Sequence, residues 1–340
     1  MKKLVYIGFA FKHHKGNHAG YHHIKDYIMY DYMVDCQDFI EQCDKGYNTI
    51  LGRIYRHIIW RITGFPLIPF FYLRLLWINL TQRDVVFHFV YGENLYIPFF
   101  RYLKRKSNKI VCTLHQPYSF FEEHPVWLKR LKTIDEIILV SNSELSKFEK
   151  LTGKNNIFYI PHGVDTDFYS PLNGLKDGNV VLTVGNWLRD YSFANEVYKA
   201  VLDKKPNLKI VVVANPNSLL PLETNDQIEF CSGISDVQLR ALYCKSSVLF
   251  LPLKRFTANN AILEAGACGC SIVIASDSQD KSYLPDYLVS RVPLNVNDSV
   301  TSILNHLNIR SNLQLSQWVK DNYSWSVVGS RTEKYLKGII

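Results

Sequence analysis

Apolar runs of strand length recur through most of this 340-residue chain, with helix-like stretches between them: residues 4–9, 84–90, 109–114, 136–140, 156–160, 180–184, 208–213, 228–231, 248–251 and 271–275. Runs that stay apolar instead of alternating suit strands buried on both faces, and the stretches between them supply the covering helices. The expected class is therefore α/β with parallel sheets. These ten runs are many for one open sheet, and 340 residues can build two cores, so two doubly wound halves are expected. Pro161, His162, Gly163, Val164 and Asp165, followed by Asn173, Gly174 and Gly178, mark the stretch richest in turn formers. The expected boundaries are a first domain over 1–165, a second over 166–322 and a terminal helix over 323–340, with Ser324 or Ser326 as its N-cap. Packing of that helix back on the first domain is one arrangement open to it.

Composition excludes a disordered chain: 47% of residues are hydrophobic, 21% are charged and no low-complexity tract interrupts them. A formal charge of +8 suits nucleic acid, anionic lipid or an anionic substrate, and its position decides among them. From Lys45 to Arg83 there is no Asp or Glu, while six Lys or Arg residues stand among aromatics and aliphatics. Leu51, Ile54, Ile58 and Ile62 fall at helical spacing, with Arg53, His57 and Trp60 on another face. That pattern suits a helix in a membrane interface, with Arg53, Arg56, Trp60 and Arg61 as the expected contacts to an anionic membrane surface. A helix half in the core is the alternative. Residues 64–80 are a poor transmembrane span, being 17 long and carrying Pro66, Pro69 and Arg74. No nucleic-acid module is recognisable, so nucleic acid is not an expected partner.

Seven cysteines without a C-x-x-C pair suit a reducing compartment. Cys268 and Cys270 read as packing at a small-residue helix end, not as metal ligands. The apolar run from Leu4 to Phe11 reads as a first strand, not as a signal peptide.

The chemistry concentrates in three places. Asn259 and Asn260 open a helix, where backbone N–H groups lack partners and the dipole end attracts phosphate. Glu264 falls one turn further on the same face, placed to accept both hydroxyls of a ribose, and Gly269 stops the helix before a buried strand. An ordinary αβ unit with a surface glutamate is the other reading. The loop after the first strand holds Gly16, Asn17 and His18 among five histidines in residues 13–23; glycines there let backbone N–H groups approach a ligand. No carboxylate or cysteine joins those histidines at ligand spacing, so no metal is expected. His115 ends an expected strand, where doubly wound sheets bind ligands. His88 and Glu93 lie around the preceding strand as candidates for acceptor contact.

Residues Ile160-Pro161-His162-Gly163-Val164-Asp165-Thr166-Asp167-Phe168-Tyr169-Ser170-Pro171, then Val184-Gly185, then the stretch from Ala258 to Gly269 resemble the retaining glycosyltransferases of family 4. The resemblance is specific from about residue 137 to 275. It implies the GT-B architecture, two Rossmann-like doubly wound domains facing a cleft, with a nucleoside diphosphate sugar held mainly by the second and a glycan acceptor by the first. On that basis Glu264 matches the second glutamate of the family's E-x7-E signature, the one expected on the donor ribose, whereas the first falls at Phe256. The family's basic pair after Val-Gly is also altered, leaving Arg189 as the cation near enough to clamp a diphosphate; pairing with Asp190 is its alternative role.

The same resemblance makes His115 a catalytic candidate beside Arg189. Donor contacts are expected from Gly16, Asn17, Gly185, Asn259 and Asn260, base contacts through the loop holding Gly233 and Ile234, and acceptor contacts from His18, with His88 and Glu93 as weaker candidates by position. The expected activity is hexose transfer with retention, without metal or cofactor, onto a lipid-linked glycan in cell-surface polysaccharide synthesis. The expected location is cytoplasmic, at the inner face of the membrane. A catalytically silent GT-B subunit, or a peripheral membrane scaffold that binds nucleotide or glycan, is the alternative.

Overall fold

The computed structural model describes residues 2–11, 18–37, 54, 71–172, 174, 177–254, 259–276, 284–309 and 311–338. The chain divides into two units: one comprises Met1–Gly16, Gly20–Pro161 and Val328–Ile340, the other Asn17–Ala19 and His162–Val327.

The first unit holds one parallel sheet of strands β1 (Lys3–Gly8), β2 (Tyr32–Asp35), β3 (Val85–Phe89), β4 (Lys109–Leu114), β5 (Glu136–Leu139) and β6 (Ile157–Tyr159), in the order β2-β1-β3-β4-β5-β6. Its direction of winding reverses between β1 and β3, whose register pairs Tyr6 with His88 and Ile7 with Phe89. The second unit holds β7 (Asp177–Val184), β8 (Lys209–Val213), β9 (Ile228–Cys231), β10 (Ser246–Pro252), β11 (Ser271–Ala275) and β12 (Ser290–Val292), in the order β12-β11-β10-β7-β8-β9. Here the reversal falls between β7 and β10. In both sheets the crevice outside the strands' carboxyl ends at the reversal is where an open α/β sheet admits a ligand.

The ten expected strands are all present. β10 shows why they could be read: every residue of Ser246–Pro252 is buried, because helices cover both faces. Leu249 and Leu251 enter the core formed with helices Asn260–Ala267 and Leu313–Tyr323, while Val248 and Phe250 enter the core formed with helices Tyr191–Lys204 and Val296–His306. Truncating one such side chain to Ala costs about 2–5 kcal/mol. The two additional strands, β2 and β12, are edge strands of four and three residues whose side chains are mostly half-buried or exposed. Tyr32-Met33-Val34 in β2 is a run of only three apolar residues, and β12 has none.

Helix Asn260–Ala267 ends as expected at Gly269, which stands in the left-handed region at φ 71°. Cys270 N donates to Ala265 O at 2.9 Å and Gly269 N to Gly266 O at 2.9 Å, closing the paired bonds of a Schellman motif. The last helix spans Trp325–Lys337, and its residues from Val328 onward group with the first unit. There Tyr335 Oη donates to Glu136 Oε2 at 2.9 Å and its ring packs 4.4 Å from Phe158. Ser324, one of the two expected caps, bridges its backbone to Val164 and hydrogen-bonds through Oγ to Ser326 Oγ at 3.0 Å. Among the described residues no helix is long and apolar enough to cross a membrane.

Candidate functional site

Gly185 leaves the carboxyl end of β7 at φ 107°, and Leu188, a residue with a Cβ, follows at φ 57°. Two left-handed residues in four turn the chain sharply enough that Arg189 bridges back to Leu253, just past the end of β10. A Cβ on Gly185 would lie 2.8 Å from Arg189 Nη2, so glycine makes room for the guanidinium as well as for the turn. That guanidinium is held by carbonyls: Nε donates to Val184 O and Nη1 to Trp187 O, each at 3.0 Å, and Nη2 reaches Asn259 Oδ1 at 3.4 Å. Asp190 is not its partner. The Asp190 carboxylate instead caps helix Tyr191–Lys204, accepting from Phe193 N at 3.0 Å. Among the described residues no carboxylate pairs with Arg189, and burial lowers its pKa. A fixed cation without a counter-charge therefore stands at the reversal between β7 and β10.

Asn259 occupies the N-cap position of helix Asn260–Ala267, yet its side chain makes no capping bond. Ile262 N donates to Asn259 O at 3.1 Å, and the N–H groups of Asn260 and Ala261 are left for another acceptor. Glu264 is buried, unlike the surface glutamate of the alternative reading, with Tyr243 Oη donating to its Oε2 at 3.0 Å. Burial raises its pKa to about 7, the Tyr243 bond opposes that rise, and Asp236 adds to it. Tyr243 carries no motif; it is brought to Glu264 by helix Asp236–Lys245, so only the packed fold reveals it. Gly233, at φ 66°, is exposed and Ile234 half-buried, in the loop that follows β9.

His18 groups with the second unit. Its Nδ1 lies 2.7 Å from Asp165 Oδ2, its backbone N donates to Asp236 Oδ2 at 2.6 Å, and its ring stacks on Phe168 at 3.6 Å. Asp165 and Phe168 belong to the turn-rich stretch that also carries the family resemblance, but neither had been expected as a partner of His18.

In the first unit, the carboxyl end of β4 delivers His115. Glu93 Oε1 accepts from His115 N at 3.0 Å and stands 3.3 Å from its Nδ1, and the rings of Tyr21 and Tyr91 each lie 4.8 Å away. Glu93 thus holds His115 in place, where an acceptor contact had been expected of it. His88 requires a larger correction. It is fully buried within β3, with Nδ1 2.8 Å from Tyr30 Oη and Nε2 2.9 Å from Thr113 Oγ1. Burial lowers its pKa to about 3, with His115 adding to the effect, so it is a neutral core residue out of reach of an acceptor. Gly16, Asn17, Phe256 and the expected membrane contacts Arg53, Arg56, Trp60 and Arg61 lie outside the described residues.

Comparison with known proteins agrees with this geometry. Residues 38–168 match the family described as Glycosyltransferase Family 4, and residues 178–292 match Glycosyl transferases group 1. No curated protein sequence matches the chain. Among solved structures, sucrose-phosphate synthase from Thermosynechococcus elongatus aligns with TM-score 0.58 and 14% identity, over 75% of this chain and 73% of that one. The α,α-trehalose 6-phosphate synthase of Burkholderia multivorans aligns with TM-score 0.63 and 12% identity, over 99% of this chain and 98% of that one. TarM of S. aureus, solved with UDP, aligns with TM-score 0.59 and 11% identity over 75% of this chain, which spans only 55% of TarM. At these identities the neighbours speak for the fold. Together with the two family matches and the paired parallel sheets, they place the chain among the family 4, group 1 glycosyltransferases, nucleotide-sugar-dependent transferases of GT-B fold.

Proposed function

We propose that this protein transfers a hexose from a nucleoside diphosphate sugar to a lipid-linked glycan, with retention of configuration, in cell-surface polysaccharide synthesis at the inner face of the membrane. The observation that carries the reading is Arg189, a cation fixed by three oxygen acceptors and, among the described residues, lacking a carboxylate, beside an uncapped helix start. As the glycosidic bond breaks, charge develops on the departing diphosphate, and donors already fixed in place stabilise it with little reorganisation. Guanidinium and helix start together supply that positive charge without a metal.

The other roles follow from position. Glu264 takes the ribose hydroxyls, whose two donated bonds offset the burial that holds its pKa near 7. The base lies by the backbone of Gly233 and Ile234, and Gly16 and Asn17 border the phosphates. His115, oriented by Glu93, touches the donor sugar and steers the acceptor hydroxyl, with His18 as a further acceptor contact. UDP is the first nucleotide to test, since TarM was solved with it.

The test is a thermal-shift panel with UDP, GDP, ADP, CMP and their sugars, because a ligand that binds only the folded state raises Tm. A shift confined to one nucleoside and abolished by Glu264→Ala is the expected result. Phe256, standing where the family signature has a glutamate, favours a second reading as a silent GT-B subunit. Absence of any shift, together with unchanged glycan assembly by Glu264→Ala, decides for that reading.

A further inference from the structure

Helix Phe71–Thr81 is apolar on both sides: Tyr72, Leu75 and Ile78 are buried, yet large apolar residues also face solvent. Its amide Asn79 is 1% exposed, whereas Leu73, Trp77 and Leu80 are 62%, 57% and 64% exposed. The buried amide is satisfied: Nδ2 donates to Leu103 O at 2.9 Å, and Oδ1 accepts from Arg105 N at 3.0 Å and Asn108 Nδ2 at 2.9 Å. The outward residues, at i, i+4 and i+7, form one stripe. Beside it, helix Phe99–Leu103 turns Phe99, Tyr102 and Leu103 to solvent. Asn79 ties the two helices, as does the Arg105 guanidinium donating to Leu80 O. Six large apolar side chains thus share one surface, where soluble proteins scatter them singly.

The charge around them selects the occupant. Residues 71–107 hold six Lys or Arg against Asp84 and the buried Glu93. Arg101 and Lys104 pair with Asp135, while Arg74, Arg83 and Lys106 are exposed and have no carboxylate partner among the described residues. Trp and Tyr interleaved with cations suit the headgroup level of a bilayer. An 11-residue helix is about 16 Å long, enough to lie in an interface and too short to cross one.

We propose that the face formed by helices Phe71–Thr81 and Phe99–Leu103 docks on an anionic phospholipid membrane. It gives the membrane half of the proposed function a described surface, rests on that half for its biological sense, and is independent of the donor site.

The test is sedimentation of the whole protein with vesicles of phosphatidylcholine alone and with one-third phosphatidylglycerol, at low and at physiological salt. The wild type is expected to bind the anionic vesicles, more weakly as salt rises. The double variant Trp77→Gln, Leu80→Gln is expected to lose roughly tenfold or more in vesicle affinity, and Arg74→Glu, Lys106→Glu to lose the preference for phosphatidylglycerol. Both are exposed substitutions, checked for unchanged Tm and unchanged nucleotide shift. Vesicle binding that survives both pairs of substitutions overturns the proposal. So does a vesicle-free dimer dispersed by Trp77→Gln, Leu80→Gln, which assigns the face to a second copy. Loss of vesicle binding with an intact nucleotide shift supports the face, whatever becomes of the transfer reaction.

Discussion

The two sheets present different chemistry at corresponding places. At the reversal between β7 and β10 stands Arg189, oriented by carbonyls and, among the described residues, facing no carboxylate. Near the reversal between β1 and β3, at the end of β4, His115 stands against the carboxylate of Glu93 within a wall of Tyr21 and Tyr91. One arrangement leaves positive charge for an incoming anion. The other sets a histidine against a carboxylate and offers ring faces and hydrogen bonds, which suits a neutral sugar. Related folds thus differ in whether the side chain at the strand end is set against a carboxylate.

Breaking that contrast at its charged end is expected to have the largest effect. Arg189→Ala should weaken nucleoside diphosphate binding by about 100-fold or more, read by titration calorimetry, since charge-assisted bonds to a fixed guanidinium are lost. Arg189→Lys should not restore it, because an ammonium cannot reach three acceptors in the plane of a fork. Wild-type affinity in either variant would remove the anion site.

Glu264 sharpens the comparison through pH. Its pKa is raised from 4.5 to about 7 in the fold, so the stability this adds is full below about 4.5 and lost as pH rises to about 7. Glu264→Gln should therefore flatten the dependence of unfolding free energy between pH 5 and 8, a change on the order of 3 kcal/mol. Ribose hydroxyls donating to the carboxylate favour its charged form, so wild-type nucleotide affinity should rise over the same interval and Glu264→Gln should abolish the rise. An unchanged stability profile would contradict the burial argument.

Gly185→Ala adds a Cβ at φ 107° within 2.8 Å of the guanidinium. A loss of about 1–3 kcal/mol is expected in chemical denaturation, with weakened nucleotide binding as Arg189 is displaced. The smallest effect belongs to the other sheet: Glu93→Gln keeps the shape but removes the charge beside His115, and should slow transfer roughly tenfold while leaving nucleotide affinity unchanged. A matching drop in nucleotide affinity would erase the distinction between the two sheets.

The sequence was legible where burial was two-sided. β4 and β10 read as apolar runs because helices cover both their faces, while β2 and β12, at the edges, left too little to read. Gly269 was legible as a helix stop because a left-handed C′ position selects glycine. At the candidate site the identity of Arg189 could be read but its partners could not, since Val184 O and Trp187 O are backbone atoms. His88 was misplaced for a related reason: a histidine in a strand looks the same whether it faces a ligand or a tyrosine and a threonine. Tyr243 was invisible because it meets Glu264 across 21 residues.

The division of the last helix bears on how the chain comes off the ribosome. The first unit needs Val328–Ile340, which are synthesised only after all of His162–Val327. Its β1–β6 sheet can form early, but Glu136 and Phe158 must wait for Tyr335. The contacts of the unit begun first are therefore completed last, unlike those of an N-terminal domain whose residues are all made before the next begins.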